Sequence, residues 1–322
     1  MKIGLFLVLF PERELDELLP YLASKGVTAA ELYVGALSDG SRHCDAELLL
    51  SDGGALKNYK KTFERHGIAI SALNASGNPV HPVKEIAQMH DGALRRAFRL
   101  AERLEVDRVL AFSGCPGGCP SDRTPNWVGC PWPDEYLDIL RYQWDEVLVP
   151  YWKDAVSFAK TRGIGKIGIE MHPGFCVYNP ETLLKLRSLV GEEIGANLDP
   201  SHLMWQGIEA HLAAKMLSGA IHHVHIKDVR INDEVVGRTG VIDSKHYSDI
   251  NNRAWVFATA GYGHSALDWK KFINALYAAG YDYVLSIEHE DSYMSRNEGF
   301  EKGVEFLKQV AVGEAPEKMW WA

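Results

Sequence analysis

GANLDPSHLMWQGIEAHLAAKMLSGAIHHVHIKD, residues 195–228, reads as strand, helix, strand. The runs GANLD (195–199) and IHHVHIK (221–227) are short and apolar, as buried strands are, and the stretch 207–218 between them carries helical periodicity. A helix joining two strands of this kind lays them side by side in parallel and covers one face of the pair.

The same alternation extends in both directions from this unit. Further strands are predicted over 2–10, 28–34, 68–74, 107–113, 166–171 and 283–289, which brings the number to eight. Leu15, Leu18, Leu19 and Leu22 form one helical stripe, and Ile86, His90, Ala93, Ala97, Leu100 and Leu104 form another. Helices are also predicted around 134–161, 181–190, 267–279 and 298–310, and several end in glycine just before the next strand, as at Lys25-Gly26 and Arg162-Gly163. Eight strand-helix units make a (β/α)8 TIM barrel, an α/β fold, in a single domain spanning 1–322. An open doubly wound sheet would call for a G-x-G-x-x-G turn after an early strand, and the chain has none. Two stretches exceed a minimal barrel: 114–133 (GCPGGCPSDRTPNWVGCPWP) after strand four and 231–266 after strand seven. Both follow strands, which places them at the mouth where barrel active sites are built.

Composition narrows the function classes. The 322 residues are 46% hydrophobic and 24% charged, with 34 Lys+Arg against 43 Asp+Glu and a net charge of −9. Disorder, collagen and coiled coil are excluded, and the absence of a long basic run argues against a nucleic-acid partner. IGLFLVLF (3–10) is far shorter than the ~20 residues a membrane span needs. It also lacks signal-peptide flanks, so a cytoplasmic location is expected. Five cysteines, odd in number and sparse, suit reduced thiols.

Four strand ends in the second half finish in metal-capable side chains: Glu170 in GIEMHPG, Asp199 in NLDPSH, His225 in HVHIKD and Glu288 in SIEHED. Strands five to eight of a barrel bring their C-terminal ends around one point, so these four side chains can converge. A single acid there is more often a solvated or salt-bridged strand end; four in succession point to a metal. Three carboxylates and an imidazole suit one divalent cation, Mn²⁺ first, with Mg²⁺, Co²⁺ or Zn²⁺ as alternatives. Without a cation the carboxylates would repel and raise one another's pKa.

These motifs, E-x-H-P, N-x-D-P-S-H, H-x-H-x-K-D and S-I-E-H-E-D, resemble the sugar phosphate isomerase/epimerase group of xylose-isomerase-like TIM barrels, which includes ketose 3-epimerases and inosose dehydratase-type enzymes. The resemblance covers nearly the whole chain and is strongest from 166 to 291. It implies that Glu170, Asp199, His225 and Glu288 hold one metal. It also implies that the two glutamates exchange protons with the substrate carbon and that His202 contacts substrate oxygen.

Physical chemistry agrees: a cation gripping a carbonyl and the adjacent hydroxyl acidifies the neighbouring C–H and orients the sugar. Glu170 and Glu288 are then expected to flank that carbon as base and acid. His172, two residues after Glu170 and on the same strand face, competes for the base role or merely orients a ligand.

Around these, Lys227 shares the face of His225 and could reach substrate oxygen or form a salt bridge. Glu290 shares the face of Glu288, whereas His289 points toward the helices. Glu31, inside strand two, could bind a sugar hydroxyl or be a buried charge paired with a lysine. Asn78 and His81 lie on a proline-bearing turn after strand three, where a structural role is at least as reasonable as substrate contact. Trp127 and Trp132 could stack on a ring or form the loop's own core. Cys115, Cys119 and Cys130 match no common four-ligand zinc spacing.

The function expected is proton abstraction α to a carbonyl of a sugar or keto-sugar, giving isomerisation or epimerisation. The alternative is a lyase that cleaves 3-oxo-glycosides by β-elimination, since the resemblance extends to the catalytic subunits of C-glycoside deglycosidases. There His172 would be the base, the Trp-bearing loop would face the aglycone and a small β-sandwich subunit would be a partner. A homo-oligomer or such a hetero-oligomer is expected. An endonuclease IV-like hydrolase is disfavoured by the net charge, and a non-catalytic sugar-binding barrel by the complete ligand set.

Overall fold

The computed structural model describes residues 1–36, 42–312, 314, 319 and 321. Its strands are β1 (Lys2–Phe6), β2 (Ala29–Tyr33), β3 (Ala69–Asn74), β4 (Arg108–Phe112), β5 (Lys166–Glu170), β6 (Ile194–Leu198), β7 (Ile221–Ile226), β8 (Asp228–Ile231), β9 (Trp255–Ala258) and β10 (Val284–Ile287). Eight of them close into a barrel in the order β1-β10-β7-β6-β5-β4-β3-β2, while β8 and β9 form a separate two-stranded sheet. All barrel pairings are parallel, so every C-terminal strand end faces one mouth.

The expected alternation of strand and helix holds, with shorter elements. The apolar run 2–10 is strand only to Phe6; Leu7–Leu9 turn as a single 3-10 segment that stays in the core. Burial, not strand geometry, keeps that run apolar. The helix Lys84–Leu104 buries His90, Ala93, Ala97, Leu100 and Leu104 of the predicted stripe against the barrel, together with Leu94, Phe98 and Ala101. Gly26 takes a left-handed φ of 88° at the end of the helix Leu15–Lys25, a conformation that costs glycine nothing.

Both surplus stretches are fastened to the barrel. The buried Gln143 side chain donates to the carbonyls of Pro116, Gly117 and Asn126 at 3.2, 3.2 and 2.6 Å, so the loop after β4 is anchored by its own backbone. After β7, β8 and β9 pair antiparallel and bracket the helix Asp233–Thr239. Val229, Val235, Ala254, Trp255 and Phe257 give this excursion a small core of its own.

Candidate metal centre

Glu170 is the last residue of β5, and His225 the penultimate residue of β7. Asp199 and Glu288 stand one residue beyond β6 and β10. Pro200 can begin a helix but cannot continue one, and Asp199 caps the short helix Pro200–Met204 with its Oδ1 accepting from Ser201 N at 2.8 Å. That cap turns the free oxygen, Oδ2, toward the barrel axis side of the mouth, where Lys227 Nζ lies 3.1 Å away. Donor atoms of Glu170, Asp199, His225 and Glu288 all lie within 4.8 Å of one another. His225 Nδ1 is 3.1 Å from Glu288 Oε2 and 3.4 Å from Glu170 Oε2.

This much negative charge is buried, and two cations balance it. Lys227 Nζ lies 2.9 Å from both Glu288 and Glu290 as well as against Asp199, so Lys227 is a buried ion-pair partner of the acids. His225 is the second: burial disfavours its charge, yet Glu31 and Glu288 override that and raise its pKa well above the usual imidazole range. The acids separate accordingly. Burial pushes Glu170 up to about 7, with Glu288 and Asp199 adding to the rise and His225 opposing it. Burial acts on Glu288 too, but Lys227 and His225 hold its carboxyl well below the usual range. Asp199 is likewise held low, against burial, by Lys227 and His202. Three hard oxygen donors and one borderline nitrogen in a buried cluster fit a divalent cation, which would take over the compensation that a protonated His225 now supplies.

Glu31 corrects an expectation. It is wholly buried inside the barrel beneath the cluster and cannot meet a sugar hydroxyl at the mouth. His225 Nε2 and His223 Nε2 lie 3.0 Å from its oxygens, and Asn74 Nδ2 and Ser286 Oγ donate to it at 2.9 Å. Glu31, His223 and His225 are a second group whose donor atoms could hold a metal. His225 belongs to both groups through opposite nitrogens, Nδ1 toward the mouth and Nε2 toward Glu31.

His172 and His202 stand at the cluster's edge with ring centroids 4.1 Å apart. His172 Nδ1 lies 2.6 Å from Pro173 O, and a carbonyl can only accept, so Nδ1 carries the proton and Nε2 is bare. Burial, reinforced by His202, holds its pKa down to about 3. His202 Nε2 faces Glu170 at 3.2 Å and Asp199 at 3.4 Å, and burial lowers its pKa to about 4.

His81 is a second correction. Its Nδ1 accepts from Val83 N at 3.0 Å, which fixes the proline turn, and it lines a cavity with Pro79, Pro116 and Cys119 that contains no residue of the metal cluster. Asn78 also serves structure, bonding the backbone of Cys115 through both ends of its amide. Cys115 is buried while Cys119 and Cys130 are exposed, and no cysteine belongs to either metal-capable group among the described residues. His289 faces the helix Arg296–Val310: a Cβ at Gly299 would stand 1.8 Å from its Nε2. Glu290 shares the side of Glu288, as strand alternation predicts, through Lys227. Sequence reasoning missed Asn197, whose Nδ2 donates to Glu170 Oε2 at 3.1 Å. Its place two residues before Asp199 was the available signal.

Residues 15–310 match the family model described as a xylose isomerase-like TIM barrel. The chain is 39% identical over 297 residues to the uncharacterized protein YfiH of Bacillus subtilis (strain 168), covering 92% of this chain and 94% of that one. Among solved structures, a D-tagatose 3-epimerase-like protein superposes with a TM-score of 0.63 at 20% identity, over 96% of this chain and 98% of that one. The IolI protein, solved with a bound zinc atom, superposes with a TM-score of 0.63 at 18% identity, over 96% of each chain.

Proposed function

The chain belongs to the xylose isomerase-like TIM barrel family, and from that premise we propose that it is an enzyme that moves a proton at the carbon beside a carbonyl of a sugar or keto-sugar. One divalent cation, Mn²⁺ by preference, is held by Glu170, Asp199, His225 and Glu288. The observation that carries this reading is the cluster itself: four donors from four neighbouring barrel strands, three of them buried and the fourth half-buried, mutually within 4.8 Å. When bound, the cation supplies Lewis-acid polarisation of the carbonyl and an anchor for the neighbouring hydroxyl.

The side chains divide the remaining work. Glu170, ionised when it ligates the cation, is the carboxylate that takes the proton from the substrate carbon and returns it. Glu288, gripped by Lys227 and His225, is the better permanent anion and serves first as a ligand. His172 presents a bare Nε2 and is a second proton acceptor, for a substrate whose reacting hydrogen faces away from Glu170. Lys227 stabilises negative charge developing on a substrate oxygen beside Glu288, and His202 donates to or accepts from the same substrate.

The test is hydrogen exchange. The Mn²⁺-supplied protein is incubated with a panel of ketohexoses, ketopentoses and 3-keto-glucosides in D₂O and followed by NMR. Deuterium should enter beside the carbonyl, and Glu170→Gln or His172→Asn should slow entry by about 100-fold or more. An epimer or isomer in the spectrum identifies isomerisation; an unsaturated ketone identifies elimination. Protein that binds the cation yet exchanges hydrogen on no member of the panel sinks the reading.

A further inference from the structure

Two cysteines stand where the loops after β4 and β5 meet, and nothing proposed for the metal cluster uses them. Cys115 follows β4 and Cys176 follows β5; both are buried and unlinked. Backbone bonds seam the two loops together: Cys176 N donates to Gly114 O at 3.0 Å, and Val177 N to Ser113 Oγ at 3.0 Å. Asn78 grips Cys115 from the other side, accepting from its N at 3.0 Å and donating to its O at 2.8 Å. Across the seam the Cys176 thiol donates to the Cys115 sulfur. Hydrogen-bonded neighbouring segments lie about 4.5–5.5 Å apart, inside the roughly 4.4–6.8 Å between Cα atoms that a disulfide spans.

A solitary buried thiol is inert, because it is neither ionised nor reachable. Cys44 is of that kind: burial pushes its thiol up to about 12, and its partner is Tyr59. The pair differs on both counts. The Cys176 S–H, joined by the Asn126 N–H, holds the Cys115 thiol below its usual range against burial, so Cys115 is the nucleophile. The same contact, with burial, pushes Cys176 up and keeps it protonated. Cys176 also lines a cavity of about 420 Å³, walled by Trp127, Gln143, Trp144 and Tyr178, which is ample for a molecule the size of peroxide.

We propose that Cys115 and Cys176 form a reversible disulfide on reaction with hydrogen peroxide, a covalent clasp between the loops after β4 and β5. The Cys115 thiolate attacks one peroxide oxygen, the O–O bond breaks, and the departing hydroxide takes up the proton that Cys115 released and leaves as water. The Cys176 sulfur then attacks the sulfur of the Cys115 sulfenic acid, the S–O bond breaks, and that hydroxide leaves as water with the proton of Cys176. Two thiols lose two electrons and one peroxide is reduced to two waters. The clasp lies beside the mouth: His172 N donates to Val177 O at 3.2 Å, and Phe175 stacks on Phe112 at 4.4 Å, so drawing the sulfurs together pulls on the segment that carries His172.

The experiment maps the link. N-ethylmaleimide first caps the exposed Cys119 and Cys130 of the native protein. The protein is then treated with hydrogen peroxide, denatured in iodoacetamide, digested with trypsin without reduction and analysed by mass spectrometry. Peptides 109–123 and 167–185 should appear as one species joined through Cys115 and Cys176, and dithiothreitol should separate them. Loss of free Cys176 to this link should exceed oxidation of Cys44 by about tenfold or more. Cys176→Ser should abolish the link and leave on Cys115 a sulfenic acid that dimedone traps. The proposal is overturned if both thiols remain open to iodoacetamide, if either goes to the sulfinic acid without a link, or if Cys44 oxidises as readily. In the linked protein, amide hydrogen exchange should change within 172–177; unchanged exchange there overturns the bearing of the clasp on the mouth.

Discussion

His225 has an acid against each ring nitrogen, Glu288 3.1 Å from Nδ1 and Glu31 3.0 Å from Nε2, and this double contact raises its pKa. A cation at Nδ1 must displace the proton there, and Glu170, held near 7, must also be ionised to act as a ligand. Both shifts are upward, so the competing protons are bound at low pH and leave as pH rises. Mn²⁺ affinity should therefore increase between pH 6 and 8, with proton release on binding. Calorimetry in two buffers of different ionisation heat checks this; no proton release near pH 7 would contradict the protonated state assigned to His225. Glu31 makes the complementary contact. By accepting from Nε2 it fixes the ring with Nδ1 toward the mouth, as carboxylates behind metal-bound histidines do. Glu31→Gln keeps the shape and loses the charge, and Mn²⁺ affinity should fall about 10- to 100-fold while the melting temperature shows the barrel intact. The four strand-end donors were legible because acids and a histidine at strand ends are conspicuous against apolar runs. The depth of Glu31 was not, since alternation tells which way a side chain points but not how far along the barrel axis it lies.

At the scale of elements, Asp228 decides whether the excursion after β7 holds its place. Its buried carboxylate accepts from Val229 N, Gly261 N, Gly263 N and His264 N at 2.8 to 3.1 Å, and from Trp269 Nε1 at 3.1 Å and His264 Nδ1 at 2.7 Å. It thus joins the start of β8, the turn after β9 and the helix Ala266–Ala278. Only glycine fits at 263, where a Cβ would stand 2.1 Å from Val229 O. Asp228→Asn presents an NH₂ to this ring of donors and should cost about 3 kcal/mol, read as a lower denaturation midpoint and faster proteolysis within residues 240–253. Unchanged proteolysis would show that the small core around Trp255 holds the excursion unaided. The sequence marks 231–266 as surplus to a barrel without revealing the ribbon within it. WVFA (255–258) has strand composition, but its partner begins at Asp228, directly after the barrel strand, where no turn residue separates the two. Of the mouth aromatics, Trp127 was legible on its surplus loop, whereas Trp205 and Trp255 were not, because they lie far from it in the chain and only closure of the barrel brings the three together.

Across the whole molecule, barrel closure gathers Glu170, Asp199 and Glu288 from β5, β6 and β10 at one mouth of a chain that already carries a net charge of −9. The unfolded chain disperses these acids, so a cation held by all of them binds the native state selectively and stabilises it by mass action. At a free concentration 100 times the dissociation constant the gain is about 2.7 kcal/mol. For a chain of this size that corresponds to a rise in melting temperature of roughly 4 °C. Thermal denaturation in Mn²⁺ against EDTA should show it. Asp199→Asn supplies the control, because asparagine can still cap Ser201 N through its side-chain oxygen while giving up the anionic ligand. The variant should fold, and its melting temperature should respond little to Mn²⁺. A full rise in the variant would move the cation to Glu31, His223 and His225, the group that does not use Asp199. His223→Gln would then remove the rise, and the mouth cluster would have to act on its substrate through Lys227.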